Sequence, residues 1–380
     1  MPFAIKHRRI LVRGVNWLGD AVMTTPALLR LREFLPDADI VLLIHEKLGD
    51  LWPDHPAVDL TLTYGPDTSS SQLIKRLRRE RFDTALILPN SFRSALEVWL
   101  AGIPRRVGYR GNGRTWLLSH AISARPGSRP MRKRSPKEIR QLISQPVAPP
   151  TSGPPPVHHI HHYLRLTTSL GARPEPLPPQ LVVGDEIIAR VRKRFGLADG
   201  PGEGPLLGLN PSAEYGPAKR WPRDRFVAAA IEIQRRTGCR WLLFGGPADI
   251  PLANEITAEL DFALRQGNAP PSSGVLNLAG LTSLRELCAL LKCCRALLTN
   301  DTGPMHVAAA VGTPVIVPFG STSPELTGPG LPGNTSHELL QSHAPCAPCF
   351  LRECPIDFRC MKEITVEQVV AAVLKSIASP

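Results

Sequence analysis

No stretch of these 380 residues stays apolar for the roughly 18 positions that a helix needs to cross a bilayer, so no spanning helix is expected. The amino terminus also lacks the apolar segment of a secretory signal, because Lys6-His7-Arg8-Arg9 runs directly into Ile10-Leu11-Val12. A cytosolic chain is the expectation. Paired carboxylates of the Asp-x-Asp kind occur once, at Asp37 and Asp39, before a strand-like run instead of at the end of one. That position suits a solvated turn, and a catalytic metal site there is set aside. Aromatic residues are missing from the basic segment 124–156. Surfaces that hold single-stranded nucleic acid interleave cations with stacking rings, so no nucleic-acid partner is expected.

What is present begins with length, which exceeds the usual ceiling for one hydrophobic core and implies two domains. The 40 prolines cluster, most densely in 124–156, which reads as an exposed, mostly disordered basic insert. The net charge of +12 is one-sided: residues 1–180 hold 26 Lys and Arg against 14 Asp and Glu, and residues 181–380 hold 19 against 19. Such an excess points to a polyanionic partner for the first half.

Short apolar runs separated by helical patterns fill both halves. Residues 9–35 read as a strand, a loop ending Leu18-Gly19-Asp20, and an amphipathic helix with Leu28, Leu31 and Leu35 at helical spacing. Further parallel-strand candidates are 39–45 and 84–91, then 206–213, 241–246, 296–301 and 314–320, alternating in the second half with helices near 223–238 and 283–294. The expected fold class is α/β, with two doubly wound, Rossmann-like units facing across a cleft: 1–180 with the insert, and 181–380 ending in a helix.

Three loops carry chemistry. In Thr299-Asn300-Asp301-Thr302-Gly303-Pro304-Met305-His306 a strand meets a helix, and free N–H groups with the helix dipole make a seat for phosphate. His306 lies one turn past Thr302 and points back at the same mouth. The plainer reading, that Asp301 or Thr302 merely caps the helix, remains open. Asp20 stands at another helix start beside Gly19 and has the same plain alternative. The third loop, 210–222, is stiffened by Pro211, Pro217 and Pro222 and carries Lys219 and Arg220, a fixed cation for a diphosphate.

Together with 14–28, 88–96 and 101–111, these loops resemble glycosyltransferase family 9, the lipopolysaccharide heptosyltransferases, most closely their type II branch. The resemblance spans nearly the whole chain. It implies a GT-B fold and inverting, metal-independent transfer of heptose from ADP-L-glycero-beta-D-manno-heptose, with no cofactor for catalysis. The implied acceptor is the first heptose of the inner core, on heptosyl-Kdo-lipid A, at the anionic cytoplasmic face of the inner membrane, where the chain would be peripheral. Asp20 then corresponds to the general base and Lys219 to the lysine on the donor diphosphate. Asp301, Thr302, Gly303 and His306 correspond to the donor-binding segment. Asp249, after Phe244-Gly-Gly-Pro-Ala, takes the place of the acid on the ribose hydroxyls at slightly different spacing. Asn90, Arg93 and Arg110 fall in the acceptor-binding stretches.

Two clusters stand outside that pattern. Cys346, Cys349, Cys354 and Cys360 form C-x₂-C-x₄-C-x₅-C in a Pro-interrupted loop, which suits either a structural zinc or plain reduced thiols. Cys239, Cys288, Cys293 and Cys294 read as small buried hydrophobes. The histidine run 158–162 looks like a second metal cluster, with His158 and His162 spaced to share one helix face, against which stands a solvated helix start, the reading adopted. A family 9 enzyme acting on another core acceptor, a nucleotide-sugar epimerase and a nonenzymatic nucleic-acid binder are the rival functions.

Overall fold

The computed structural model describes residues 9–124, 131–144, 157–197, 204–266, 274–331 and 333–378. They form two compact units: Met1–Ser128 with Val157–Val182, and Arg129–Pro156 with Val183–Pro380.

The first unit runs β1 (Arg9–Arg13), α1 (Leu18–Phe34), β2 (Asp39–His45), β3 (Leu60–Tyr64), α2 (Ser70–Arg79), β4 (Thr84–Ile87), α3 (Phe92–Leu100), β5 (Arg105–Tyr109) and β6 (His120–Ile122); after α4 (Pro136–Ser144), which groups with the second unit, α5 (Ile160–Thr168) completes it. The second unit continues with α6 (Asp185–Arg194), β7 (Leu206–Asn210), α7 (Arg223–Thr237), β8 (Arg240–Leu243), α8 (Ile250–Gln266), β9 (Val275–Asn277), α9 (Leu284–Cys293), β10 (Ala296–Thr299), α10 (Gly303–Ala310), β11 (Val315–Phe319), α11 (Pro324–Thr327), β12 (Glu338–Gln341), α12 (Arg359–Glu363) and α13 (Val366–Ala378).

Each unit has one six-stranded parallel sheet, in the orders β3-β2-β1-β4-β5-β6 and β12-β11-β10-β7-β8-β9. Numbered within its own unit, each is the Rossmann order 3-2-1-4-5-6, and the order in which strands are added reverses between β1 and β4 and between β7 and β10. The central strands are buried on both faces, as β1, β4, β7, β10 and β11 show almost throughout. Helices cover both sides of such a sheet, which is why these strands read as unbroken apolar runs instead of alternating ones.

Two expectations change. The helix 18–34 is not amphipathic: Ala21 to Leu28 are all buried, because α5 packs on the side that solvent would otherwise occupy. Pro26 within it has no N–H for the Val22 carbonyl, and the Thr25 hydroxyl donates to that carbonyl at 2.8 Å instead. The basic insert is not disordered where it is described. Its α4 buries Ile139 in the second unit's core, and the Arg134 N–H donates to the Cys349 carbonyl at 3.0 Å. Ile139 and Ile143, four apart on a short helix, supply the apolar stripe that a count of prolines and cations hides. Arg132, Lys133 and Lys137 therefore belong to the second unit, while Arg125 and Arg129 lie outside the described residues. Counted by unit, Lys and Arg exceed Asp and Glu by 20 to 13 in the first and by 25 to 20 in the second. Most of the charge asymmetry thus disappears. Among the described residues no helix is long and apolar enough to cross a membrane.

Candidate active site

In open parallel sheets ligands gather at the carboxyl ends of the strands where the strand order reverses, since loops there part to opposite sides and leave backbone groups unpaired. In the second unit that point lies between β7 and β10, and the two loops leaving it are 211–222 and 300–302. Buried amides tie them together. Asn300 accepts the Trp221 N–H at 2.8 Å and donates to the Pro211 carbonyl at 2.7 Å, while Asn210 donates to the Thr299 hydroxyl at 3.0 Å.

Lys219, closing a single 3₁₀ turn (Pro217–Lys219), reaches Asp301 at 2.7 Å, and the Thr322 hydroxyl donates to the same carboxylate oxygen at 2.6 Å. The pair is largely withdrawn from water, with side-chain exposures of 16% and 5%. These partners settle the capping question. The Thr302 side chain makes no cap hydrogen bond, and the Asp301 carboxylate is turned to Lys219 and Thr322. The first turn of α10, from Gly303, is therefore left without a side-chain cap, and its N–H groups suit an anion. His306 is buried within the same helix. Asp249 also belongs to this neighbourhood: its carboxylate accepts the Ser212 hydroxyl at 2.6 Å and the Gly246 N–H at 2.9 Å, which fixes it beside the 211–222 loop.

The cysteine-rich loop braces that same segment. The Arg352 carbonyl accepts the Ala218 N–H at 2.9 Å, Arg352 Nε donates to the Tyr215 carbonyl at 2.7 Å, and the Tyr215 hydroxyl donates to the Phe350 carbonyl at 3.1 Å. Gly216 is required there, since a Cβ would stand 2.5 Å from the Arg352 carbonyl oxygen. Cys346, Cys349 and Cys360 are buried and Cys354 is half-buried. Burial raises the Cys360 thiol to about 12, with the neighbouring thiols Cys346, Cys349 and Cys354 adding to it. Burial likewise pushes Cys346 and Cys349 up. Among the described residues, however, no group of three or more His, Cys, Asp or Glu is placed to hold a metal ion. Of the other four cysteines, Cys239, Cys288 and Cys294 are buried and Cys293 is half-buried.

In the first unit the strand order reverses between β1 and β4. Asp20, in the first turn of α1, follows β1, and Asn90 follows β4. Three side chains of the histidine-rich segment link them. Tyr163 hydrogen-bonds Asp20, and its hydroxyl is held well above the usual phenol range by burial and then by the Asp20 charge, so it stays a neutral donor. His159 Nε2 lies 3.2 Å from the Tyr163 hydroxyl and 3.9 Å from Asp20 Oδ1. A Tyr163 that donates to Asp20 must accept from His159, which places the His159 proton on Nε2. Burial lowers the pKa of His159, although Asp20 pulls the other way. His162 stacks on His159 at 5.2 Å and on Tyr109 at 4.0 Å, and burial followed by the neighbouring His159 and Arg114 brings it to about 4. Its Nε2 accepts from Asn90 Nδ2 at 3.4 Å, and Arg114 holds the other end of that amide at 2.9 Å. The expected solvated helix start is thus a packed polar layer, because α5 lies against α1.

Arg93, largely exposed, donates to Glu97 at 2.8 Å and lines a cavity of about 260 Å³ with Arg13, Asn16, His45 and Tyr64. Arg13 is buried there over the Tyr64 ring, 3.6 Å from Glu97. Arg110 is exposed at the end of β5, its N–H bonded to the Ile122 carbonyl. Sequence reasoning missed Tyr163, Asn300, Thr322 and Ser212. A readable trace existed for Tyr163, four residues after His159 and so on the same helical face, and for Asn300, a polar residue directly after an apolar strand.

Two Rossmann units in one chain, one with an uncapped helix start beside a lysine and the other with a supported carboxylate, compose a glycosyltransferase of the GT-B fold. Residues 70–358 match the family described as Glycosyltransferase family 9 (heptosyltransferase). The chain is 32% identical over 328 residues to the lipopolysaccharide heptosyltransferase 2 of Salmonella typhimurium, covering 84% of this chain and 85% of that one. It is also 32% identical over 334 residues to the Escherichia coli K12 protein of that name, with the same coverage. Its structure is similar to that of E. coli ADP-heptose LPS heptosyltransferase II, with a TM-score of 0.76 and 28% identity over 97% of this chain and 98% of that one. The chain belongs to glycosyltransferase family 9, which sets aside the epimerase and nucleic-acid-binder readings.

Proposed function

We propose that this enzyme transfers heptose, with inversion, from ADP-L-glycero-beta-D-manno-heptose to the first heptose of the lipopolysaccharide inner core. The observation that carries the reading is the Lys219–Asp301 pair beside the uncapped start of α10. Asp20 accepts the proton of the acceptor hydroxyl as its oxygen bonds to the anomeric carbon, and the bond from that carbon to the diphosphate breaks. Negative charge then grows on departing ADP, where Lys219 and the N–H groups of Thr302 and Gly303 meet it, so transfer proceeds without a metal. Asp249 suits the ribose hydroxyls, and His306 supports the same corner. Asn90, Arg93 and Arg110 serve the acceptor, with the 260 Å³ cavity beside Arg93 of a size for one sugar. A lipid acceptor and the absence of a spanning helix among the described residues support a peripheral enzyme on the inner face of the inner membrane.

Incubation with ADP-heptose should release ADP only when heptosyl-Kdo-lipid A is added, with product mass increased by one heptose. Donor turnover without acceptor would overturn transfer, and activity confined to a different core acceptor would reassign the acceptor.

The spacing of Cys346, Cys349, Cys354 and Cys360 suits a structural zinc, which is tested separately from the chemistry. Purified protein should then carry close to one equivalent, and chelation should lower the melting temperature more than the initial rate, because this loop braces the segment of Lys219 without touching the reacting atoms. Metal-free protein with four readily alkylated thiols would instead mark a thiol-lined core.

A further inference from the structure

Helix α3 is apolar on two sides. Ala95 and Val98 face the first unit's core, while Phe92, Trp99 and Leu100 face outward with exposures of 42%, 41% and 38%. Trp116, 63% exposed on the 3₁₀ turn Thr115–Leu117, joins them, its ring 6.3 Å from Phe92 and 5.8 Å from Trp99. Of the eleven large hydrophobic side chains exposed among the described residues, four are in this one patch. Single exposed apolar residues are ordinary, whereas a contiguous aromatic group marks a surface that something covers.

The surrounding charge selects the partner. From 84 to 124 the chain contains five arginines and one acid, Glu97, which is buried and paired with Arg13 and Arg93. Three cations border the patch: Arg93 on α3 itself, Arg78 donating to the Leu100 carbonyl at 2.8 Å, and Arg106 donating to the Leu117 carbonyl at 2.7 Å. A second copy of the chain would bring these cations against themselves. Indole rings beside arginines match a bilayer interface instead, where amphipathic rings settle at headgroup depth and cations meet anionic lipid.

We propose that Phe92, Trp99, Leu100 and Trp116, with their arginine border, form the surface by which this enzyme docks on an anionic membrane. The proposal rests on the peripheral-membrane reading above and places the contact on α3 and the 115–117 turn instead of on the basic segment 124–156, whose described part groups with the second unit. The docking surface is then on the unit that carries Asp20 and Asn90.

The test compares the parent with Trp99→Ser/Trp116→Ser and Trp99→Phe/Trp116→Phe on phosphatidylcholine vesicles with and without 30% phosphatidylglycerol, a composition of about one anionic lipid in three. The parent should bind the anionic vesicles at low salt, more weakly as salt rises. The serine variant should bind at least about tenfold more weakly and the phenylalanine variant nearly as well as the parent. All three should keep the same melting temperature and the same turnover on a deacylated, water-soluble core acceptor. Equal vesicle binding by parent and serine variant would remove the patch from the contact while leaving membrane association intact. No binding by the parent would overturn the peripheral reading itself. A parent dimer in light scattering that the serine variant loses would reassign the patch to self-association.

Discussion

Asp20→Asn should lower turnover by at least about 10²-fold, the contribution expected of a positioned general base, with donor affinity unchanged because ADP-heptose is assigned to the second unit. The amide keeps the shape of the carboxylate and loses only its capacity to take a proton. Tyr163→Phe removes the hydroxyl that orients Asp20 and should cost about tenfold in turnover, the lower end for a hydrogen bond to a charged group at about 1.5 kcal/mol. In the Asp20→Asn background the same Tyr163→Phe change should cost almost nothing, since there is no longer a base to orient. That non-additivity separates orientation from packing: a merely structural Tyr163 would cost the same in both backgrounds and lower the melting temperature in each. The neutral state of His159 fits the scheme, because an imidazolium beside a carboxylate makes it a weaker base. Full turnover by Asp20→Asn at saturating donor and acceptor would remove Asp20 from the chemistry.

How far the sequence could be read depended on the range of the signal. Strands β2, β4, β7, β8, β10 and β11 were legible because a parallel strand buried on both faces is a short unbroken apolar run. The corner at Asp301 was legible because strand, small residues and Pro304 follow one another directly. Edge strands were not: β3 is a five-residue alternating run, Leu-Thr-Leu-Thr-Tyr, with Leu60 exposed and no unbroken apolar stretch, and β6 and β9 are three residues each. Arginines opened β5, masking its apolar core at Val107 and Tyr109. The polar layer was missed for another reason. Which histidines are solvated depends on α5 packing on α1, a contact across more than a hundred residues that no local pattern encodes. The same holds for α4, whose two isoleucines disappear among prolines and cations until the core they fill is known.

Lys219→Met should weaken ADP-heptose binding and slow transfer together, by about 10²- to 10³-fold in turnover, the range for losing one donor aimed at developing negative charge. Its effect on stability has a separate origin. Without the ammonium group, Asp301 remains buried at 5% exposure with the Thr322 hydroxyl as its remaining side-chain partner in the corner. Removing one member of a buried pair costs about 3 to 5 kcal/mol, and the lower figure applies because Lys219 retains some contact with water. The double variant Lys219→Met/Asp301→Asn should therefore recover most of the lost melting temperature, since no unpaired charge is then buried, while donor binding and turnover stay low. Calorimetry on ADP-heptose and thermal unfolding of the same preparations separate the two effects. If the double variant regains donor affinity along with stability, the deficit of Lys219→Met came from a disordered corner and the lysine is not on the diphosphate. If Lys219→Met unfolds like the parent, the Lys219–Asp301 pair contributes nothing net to the fold, and its place at the switch point of the second sheet serves the donor alone.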